Sequence, residues 1–371
     1  MVNRNRLIKT FIELVKIDSL SLHEGKVMDY LTKELNKLGI RNYISGKVKG
    51  GEVGNLFANI PGNGILSPRI LLNAHVDTVT PGKNIKPKIK NGYIFSNGKT
   101  VLGADNKAGV AAILEIIRSL KEQNIKHPPL QLIFTVAEEI GIYGARAIAK
   151  NKIKADFALV LDGGDIDSVI VKAPTQVNLT ATIFGRAAHA GLHPEDGINA
   201  IKVASQAIVM MKQGRIDHET TSNIGIIKGG KATNIIPDEV EIKGEARSHD
   251  KMKLNAQVLH FKSCLQKACR KYKAKLKIKA HEVYKSFEIN ENSKVIKNIK
   301  KGMEASGIKP IFSSTGGGSD ANIFNQIGVP SVILGVGADR VHTKRERLCI
   351  ADFVRGTEMA LNIVRSIDER N

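Results

Sequence analysis

The sequence has no tryptophan, few aromatic residues and only three cysteines. Aromatic residues make up 5% of the 371 positions, which argues against a protein that stacks nucleic-acid bases on aromatic side chains. Cys264, Cys269 and Cys349 are too few for a disulfide framework and favour a reducing compartment. We therefore expect a cytoplasmic protein that does not bind nucleic acid.

Long apolar runs are also missing, since no stretch approaches the roughly 20 residues that cross a bilayer. Residues 1–17 place Leu7, Phe11 and Leu14 at helical spacing among basic residues, which predicts an amphipathic helix and not a signal peptide. The formal net charge is +20 at pH 7. Because the lysines are spread along the chain, we interpret this charge as a solvated surface that attracts carboxylates. No membrane contact is expected.

Several apolar segments end in residues that bind metals. Residues 71–77, 130–136 and 158–161 are predicted strands. The first ends in His75 and Asp77, the second is followed by Glu138 and Glu139, and the third is followed by Asp162. His342 comes after a fourth apolar strand, 330–335, and Asp105 lies where a loop meets the predicted helix 110–121. In open α/β sheets, ligands bind outside the carboxyl ends of the strands. We therefore expect these side chains at one edge of a sheet.

Clustered carboxylates with two histidines indicate divalent cations, because buried charges need partners. In a two-metal hydrolase each ion has its own histidine and carboxylate, and a further carboxylate bridges the ions. Another carboxylate stays off the ions and accepts a proton from the attacking water. The adjacent Glu138 and Glu139 fit this division. Taken alone, His75 could instead be a core histidine and Asp105 a helix N-cap.

The order of elements changes after residue 175. Residues 176–287 have the pattern strand, helix, strand, strand, helix, strand, which is typical of a ferredoxin-like domain. We predict that this domain is inserted between two parts of an α/β domain, residues 1–175 and 288–371. Near the N-terminus, Ser21 three residues before Glu24 predicts a capping box.

The chain resembles the dinuclear zinc peptidases that include peptidase T, aminoacylase and glutamate carboxypeptidase, and most of all the peptidase T-like branch. The matching motifs span essentially the whole chain, at residues 73–78, 102–109, 135–139, 188–191 and 317–320. The resemblance implies a catalytic domain with a mixed sheet flanked by helices. It also implies that the inserted α+β domain is a lid and dimerisation domain.

The resemblance implies a role for each residue of the predicted metal centre. His75 and Asp162 would bind one zinc ion, Glu139 and His342 the other, with Asp105 as the bridge. Glu138 would be the general base, and Asp77 would orient His75. Cobalt or manganese are alternatives to zinc. Asn106 replaces an aspartate that many relatives have, which removes one negative charge but no expected ligand.

The resemblance also implies a set of substrate-binding residues. His189 would stabilise the oxyanion, and Asn234 and Arg247 would bind the backbone or the carboxylate of the substrate. Gly317 and Gly318 would let the substrate approach the backbone closely. The protein would be a homodimer through the inserted domain.

The function implied is that of a metal-dependent exopeptidase, similar to an aminopeptidase or tripeptidase, that hydrolyses short peptides. Two enzymatic alternatives remain open, an N-acyl-amino-acid amidohydrolase and a carboxypeptidase. A non-catalytic metal-binding or scaffold protein is the alternative of another class. Five further histidines fit no motif and are interpreted as surface or packing residues: His193, His218, His249, His260 and His281.

Overall fold

The computed structural model of the chain describes residues 1–367, which form nine α-helices and eighteen strands. The helices are α1 (Arg4–Val15), α2 (Gly25–Lys37), α3 (Ala104–Glu122), α4 (Tyr143–Arg146), α5 (Ala200–Met210), α6 (Lys251–Lys271), α7 (Lys294–Glu304), α8 (Asp320–Gln326) and α9 (Ile350–Arg365). None of these helices is both long enough and apolar enough for a membrane crossing.

The strands are short and are distributed along the whole described chain. They are β1 (Asn42–Ser45), β2 (Asn55–Ile60), β3 (Ile70–His75), β4 (Lys88–Lys90), β5 (Tyr93–Phe95), β6 (Leu130–Thr135), β7 (Phe157–Gly163), β8 (Ser168–Ala173), β9 (Thr175–Phe184), β10 (Gly214–Arg215), β11 (Thr220–Gly229), β12 (Glu239–Ser248), β13 (Lys275–Tyr284), β14 (Phe287–Glu288), β15 (Ile311–Ser314), β16 (Ser331–Gly335), β17 (Ala338–Asp339) and β18 (Arg347–Cys349).

The chain forms two compact units. The first unit comprises residues 1–171, 288–314 and 319–367, and the second comprises Lys172–Phe287 and Thr315–Gly318. Each unit has its own apolar core. A lid or dimerisation role for the second unit stays a prediction.

The first unit is built on a nine-stranded mixed sheet in the order β1–β2–β6–β3–β7–β16–β8–β14, with β15 beside β8. The four neighbours β6, β3, β7 and β16 run parallel to one another. All residues of β3, β6 and β16 are buried, as is usual for parallel strands that are covered on both faces. The predicted α/β fold with a mixed sheet is thus confirmed, and the carboxyl ends of these strands meet at one edge.

Helix α3 lies directly against this sheet, and one glycine makes the close approach possible. A Cβ atom on Gly109 would lie 2.0 Å from the carbonyl oxygen of Leu161 and 3.1 Å from the Cβ of Ala74. These two neighbours belong to β7 and β3. The N-terminus of α3 is therefore held beside the strand ends, where the site lies.

The second unit contains a five-stranded antiparallel sheet in the order β10–β11–β12–β9–β13. Helices α5 and α6 pack against this sheet and supply Val203, Phe261 and Leu265 to the core. The predicted ferredoxin-like order of elements is confirmed. The sequence pattern predicts a strand over residues 223–236, and this extent is wrong, because β11 ends at Gly229 and the chain turns at Gly230 with φ +86°.

Candidate metal centre

His75 is the last residue of β3, and carboxylates surround its imidazole ring. Its Nε2 lies 3.0 Å from Asp105 Oδ1 and 3.5 Å from Asp162 Oδ1. On the other side of the ring, Nδ1 lies 3.3 Å from Asp77 Oδ1. The side chain of His75 is only 2% exposed. With Nδ1 directed at Asp77, Nε2 is the nitrogen available to a metal ion.

A second histidine, His342, meets Asp105 from the loop between β17 and β18. Its Nε2 lies 3.1 Å from Asp105 Oδ2 and 2.9 Å from Glu139 Oε2. Asp105 therefore faces His75 with one oxygen and His342 with the other. One ligand atom each from His75, Asp105 and Glu139 lie within 4.8 Å of one another, which makes this group a candidate metal site.

Asp105 does not cap a helix. Asp105 has the extended angles φ −81° and ψ 102°, and the regular part of α3 is capped instead by Asn106, whose Oδ1 accepts the N–H of Gly109 at 3.1 Å. The alternative interpretation of Asp105 as a helix N-cap is therefore wrong. The local backbone instead directs its carboxylate toward the two histidines.

The charged side chains of this group shift one another's pKa values. Burial lowers the pKa of His75, but the charge of Asp162 and the hydrogen bonds of nearby carboxylates raise it well above its usual value. Hydrogen bonds with Asp105 and Glu139 raise the pKa of His342 to about 10. Burial raises the pKa of Asp162 to about 7 and also raises that of Glu139. Burial opposes ionisation of Asp105 too, yet hydrogen bonds from both histidines hold its pKa below the usual range.

The donor set fits divalent cations of borderline hardness. It offers two imidazole nitrogens and the oxygens of three carboxylates, which are the ligand types of zinc and related ions. Carboxylates packed this closely repel one another, and a divalent cation offsets that repulsion. The chemistry of the residues is thus consistent with metal binding.

Glu138 lies next to this group, and it is 9% exposed. Burial, together with the charges of Asp162 and Asp320, raises its pKa well above the usual value of a glutamate. Its backbone N–H donates to Asp77 Oδ1 at 3.0 Å, and that of Glu139 donates to Asp77 Oδ2 at 3.2 Å. Asp77 therefore fixes the backbone of both glutamates.

The predicted capping box at Ser21 and Glu24 is wrong, because both side chains bind elsewhere. Helix α2 begins at Gly25, and its N-cap makes no side-chain hydrogen bond. Ser21 Oγ donates to Asp77 Oδ2 at 2.7 Å, and Glu24 Oε1 accepts the N–H of Ala137 at 2.9 Å. Nothing in the sequence indicates that these two residues support the site, because a more local explanation fits both.

Two further carboxylates support the centre and were assigned no role from the sequence. Asp320 is 1% exposed, accepts a hydrogen bond from the Thr135 hydroxyl and contributes to the raised pKa of Glu138. Its place in the motif 317–320 was a signal that could have identified it. Glu346 accepts backbone N–H groups more than 240 positions away in the sequence, and no sequence pattern indicates such a contact.

Among the predicted substrate-binding residues, His189 and Asn234 lie on paired segments of the second unit. The N–H of Ala190 donates to the carbonyl oxygen of Asn234 at 3.0 Å. The Nδ1 of His189 accepts the N–H groups of Gly191 and Leu192, each at 3.2 Å. In a neutral imidazole this places the proton on Nε2, which makes Nε2 a hydrogen-bond donor.

Arg247 forms a bidentate ion pair with Glu245 in the same unit. Its Nε and Nη2 donate to the two carboxylate oxygens at 2.9 Å and 3.1 Å. Its Nη1 also donates to the carbonyl oxygen of Gly316 at 3.4 Å. The guanidinium is thus held in a fixed plane next to the glycine-rich loop.

The two glycines predicted to lie against the substrate, Gly317 and Gly318, have different surroundings. A Cβ on Gly318 would lie 2.1 Å from Cζ of Tyr284, so packing against the tyrosine by itself requires glycine there. A Cβ on Gly317 would have Thr315 Oγ1 as its nearest neighbour, at 3.6 Å. Of these two glycines, Gly317 is the one that leaves room for a group to approach the backbone.

Comparison with known proteins places this arrangement among peptidases. The family model described as peptidase family M20/M25/M40 matches residues 71–366. YqjE from Bacillus subtilis (strain 168) is 41% identical over 367 residues, which cover 98% of this chain and 99% of YqjE. The crystal structure of aminopeptidase PepT from Bacillus cereus ATCC 10987 is 39% identical, with a TM-score of 0.85, and the match covers 98% of this chain and 99% of that protein. That of a tripeptidase from Staphylococcus aureus subsp. aureus Mu50 is 38% identical, with a TM-score of 0.91 and coverage of 98% of both chains.

Proposed function

This chain belongs to peptidase family M20/M25/M40, and from that membership we propose that it is a metal-dependent exopeptidase that hydrolyses short peptides. The observation that carries the proposal is the position of Asp105 between two histidines, 3.0 Å from His75 and 3.1 Å from His342. In a dinuclear site, one carboxylate is expected to be shared by the two metal positions.

The proposed ligands divide into two groups around Asp105. His75 and Asp162 belong to one ion, His342 and Glu139 to the other. We propose zinc for both positions, with cobalt or manganese as substitutes that accept the same donors. When bound, such ions polarise the scissile carbonyl and lower the pKa of a water molecule.

Glu138 is the proposed general base. It accepts the proton of the attacking water and returns it to the leaving amine. Asp77 supports this role because it binds the N–H groups of Glu138 and Glu139 and also faces Nδ1 of His75. One buried carboxylate thereby sets the position of the base relative to a metal ligand.

The proposed substrate contacts lie in the second unit. The Nε2–H of His189 is the donor proposed for the oxyanion, since Nδ1 is engaged with backbone N–H groups. Asn234 and Arg247 are proposed to bind the substrate backbone or its terminal carboxylate. Glu245 presents the guanidinium of Arg247 in a fixed orientation, and a fixed fork suits carboxylate recognition.

We further propose that the protein forms a homodimer through the second unit. Within residues 1–367, β10 pairs only with Thr221 and Ser222 of β11. The rest of that edge of β11 carries Ile226 and Ile227, which are 41% and 49% exposed. An apolar strand edge of this kind favours pairing with another chain.

The function is tested by incubating the metal-loaded protein with matched substrates and analysing the products by mass spectrometry. The panel contains one tripeptide as the free form, the N-acetylated form and the C-terminally amidated form, together with N-acyl amino acids. An aminopeptidase releases the first residue of the free and amidated forms and spares the acetylated form. Glu138→Gln protein, purified in parallel, controls for contaminating peptidases.

Each other outcome selects one alternative. Release of the last residue, lost on amidation, identifies a carboxypeptidase. Cleavage of the N-acyl amino acids alone identifies an amidohydrolase. Binding of two ions without hydrolysis of any substrate in the panel contradicts the proposal and favours a scaffold protein.

A further inference from the structure

The loop that carries His342 also carries a buried glutamate, Glu346, which is 2% exposed. Its Oε2 accepts the backbone N–H groups of Leu102 at 2.6 Å and Gly103 at 2.9 Å, and its Oε1 accepts that of Asp105 at 3.1 Å. Hydrogen bonds to an ionised acceptor are stronger than those between neutral groups. One carboxylate therefore binds three donors of the loop that delivers the proposed bridging ligand.

Asp105 is consequently contacted twice by residues 342–346. His342 faces its carboxylate at Oδ2, and Glu346 binds its backbone N–H. The backbone of Asp105 is outside the regular helix, as its φ and ψ show, so α3 does not by itself fix the direction of this side chain. Glu346 supplies the constraint that the helix does not.

Three donors aimed at one side chain require a carboxylate. An amide of the same shape has one oxygen, and its NH₂ group would face an N–H donor. A buried backbone N–H without an acceptor is costly, so the loop would shift to find another partner. A shift of this loop moves Asp105 relative to both histidines.

We propose that Glu346 is a positioning residue of the metal centre, which sets the orientation of Asp105 toward His75 and His342 and thereby the affinity of both metal positions. The inference rests on the proposed dinuclear centre. Glu346 contacts neither ion nor substrate in this proposal. It acts through the backbone of residues 102–105.

The test is a Co²⁺ titration of the full chain, followed by visible absorption, for wild type and Glu346→Gln. Changes in groups that orient metal ligands typically cost about 10–100-fold in metal affinity. We expect both Co²⁺ dissociation constants of Glu346→Gln to rise by a factor in that range. The absorption bands should also change, because Asp105 no longer presents its oxygens in the same geometry.

Glu115→Gln is the matched control. Glu115 is also buried, and it also accepts a backbone N–H, that of Asn3 at 2.8 Å, but it lies on α3 away from the proposed ligands. This variant should lower the melting temperature without a change in the Co²⁺ constants. A general effect of losing a buried carboxylate is thereby separated from an effect on Asp105.

Unchanged Co²⁺ constants in folded Glu346→Gln overturn the inference, even if its melting temperature falls. If this variant does not fold, Glu346→Asp, which keeps the charge but is one methylene shorter, is titrated with the same expectation. Hydrogen exchange of the wild type with its ions removed gives an independent measurement. Slow exchange at Leu102, Gly103 and Asp105 supports the contact, and fast exchange at all three overturns it. A wild type that binds no Co²⁺ contradicts the dinuclear centre itself and, with it, the role of Glu346.

Discussion

At the scale of single residues, Asp77 joins the largest number of groups around the proposed site. It is fully buried, and it accepts hydrogen bonds from Ser21 and from the backbone of Glu138 and Glu139 while facing His75. Burial opposes its ionisation, but the hydrogen bonds from His75 and Ser21 hold its pKa below the usual value. The side chain is therefore an anion in a fixed position. It connects the end of β3, through His75, with the backbone that follows β6, through Glu138 and Glu139.

The first prediction concerns Glu138→Gln. Glutamine keeps the shape of the side chain but cannot accept a proton, so turnover should fall by about 10²–10⁴-fold. Metal stoichiometry, measured by equilibrium dialysis, should stay at the wild-type value because Glu138 is not a proposed ligand. Turnover within a few-fold of wild type would refute its assignment as the base.

The second prediction concerns the pH dependence of stability at Glu24. Burial, and then the charge of Asp77, raise the pKa of Glu24 to about 7 from 4.5. The folded protein therefore binds this proton more tightly than the unfolded chain does. The resulting stability is complete below pH 4.5 and is lost as the pH rises through 7.

Glu24→Gln should remove this loss. In protein treated with a chelator, the variant should gain stability relative to wild type between pH 4.5 and 8, by up to about 3 kcal/mol. Urea unfolding at a series of pH values measures it. Glu52→Gln is the control, because a hydrogen bond from His23 lowers the pKa of Glu52. Its effect on stability should therefore change with pH in the opposite direction. If the free energies of unfolding of wild type and Glu24→Gln differ by the same amount at every pH between 4.5 and 8, the assigned pKa is contradicted.

At the scale of elements, the four parallel strands and α3 together determine where the site lies. Strands β3, β6 and β7 end at or just before proposed site residues, and α3 begins beside them. The close packing of α3 on the sheet depends on Gly109, whose added Cβ would overlap the backbone of β7. This packing brings the start of α3, and with it the backbone of Asp105, beside the strand ends, whereas the proposed role of Glu346 is to set the direction of the Asp105 side chain.

The third prediction is therefore that Gly109→Ala destabilises the protein. Helix propensity alone would favour alanine by about 1 kcal/mol, but overpacking at a contact of 2.0 Å costs about 1–3 kcal/mol or more. The melting temperature should fall, and Co²⁺ affinity should fall with it. At Gly225 an added Cβ meets its nearest neighbour at 3.5 Å, so Gly225→Ala should leave both unchanged. A higher melting temperature for Gly109→Ala would show that α3 is not packed as described.

At the scale of the whole molecule, the chain consists of two units with separate cores. The proposed metal ligands all belong to the first unit, and the proposed contacts of His189, Asn234 and Arg247 belong to the second. Metal binding and subunit association should therefore respond to different substitutions.

The fourth prediction uses this separation. Ile227→Lys places a charge on the exposed edge of β11, so it should convert a dimer to a monomer, as measured by sedimentation velocity. The Co²⁺ constants should stay at the wild-type values. Ile44→Lys is the control, because Ile44 is also exposed on an edge strand but lies on β1 of the first unit. A wild-type protein that sediments as a monomer would contradict the proposed dimer.

The sequence by itself determined the α/β class of the first unit, the ferredoxin-like order of the second unit and the residues that cluster at the strand ends. These features have local signals, since apolar strands ending in histidine or carboxylate are visible within a few residues. His75, Asp105 and His342 were singled out in this way, and the structure places the Asp105 carboxylate 3.0 Å from His75 and 3.1 Å from His342.

Only the tertiary structure decided which side chains hold those residues in place. Ser21 binds Asp77 across 56 positions, and Glu346 binds the loop of Asp105 across 241. A backbone N–H has no residue-type signature, so an acceptor for it cannot be identified from the sequence. Ser21 and Glu24 fitted a local capping box, but the fold gives both side chains more distant partners, the Asp77 carboxylate and the N–H of Ala137.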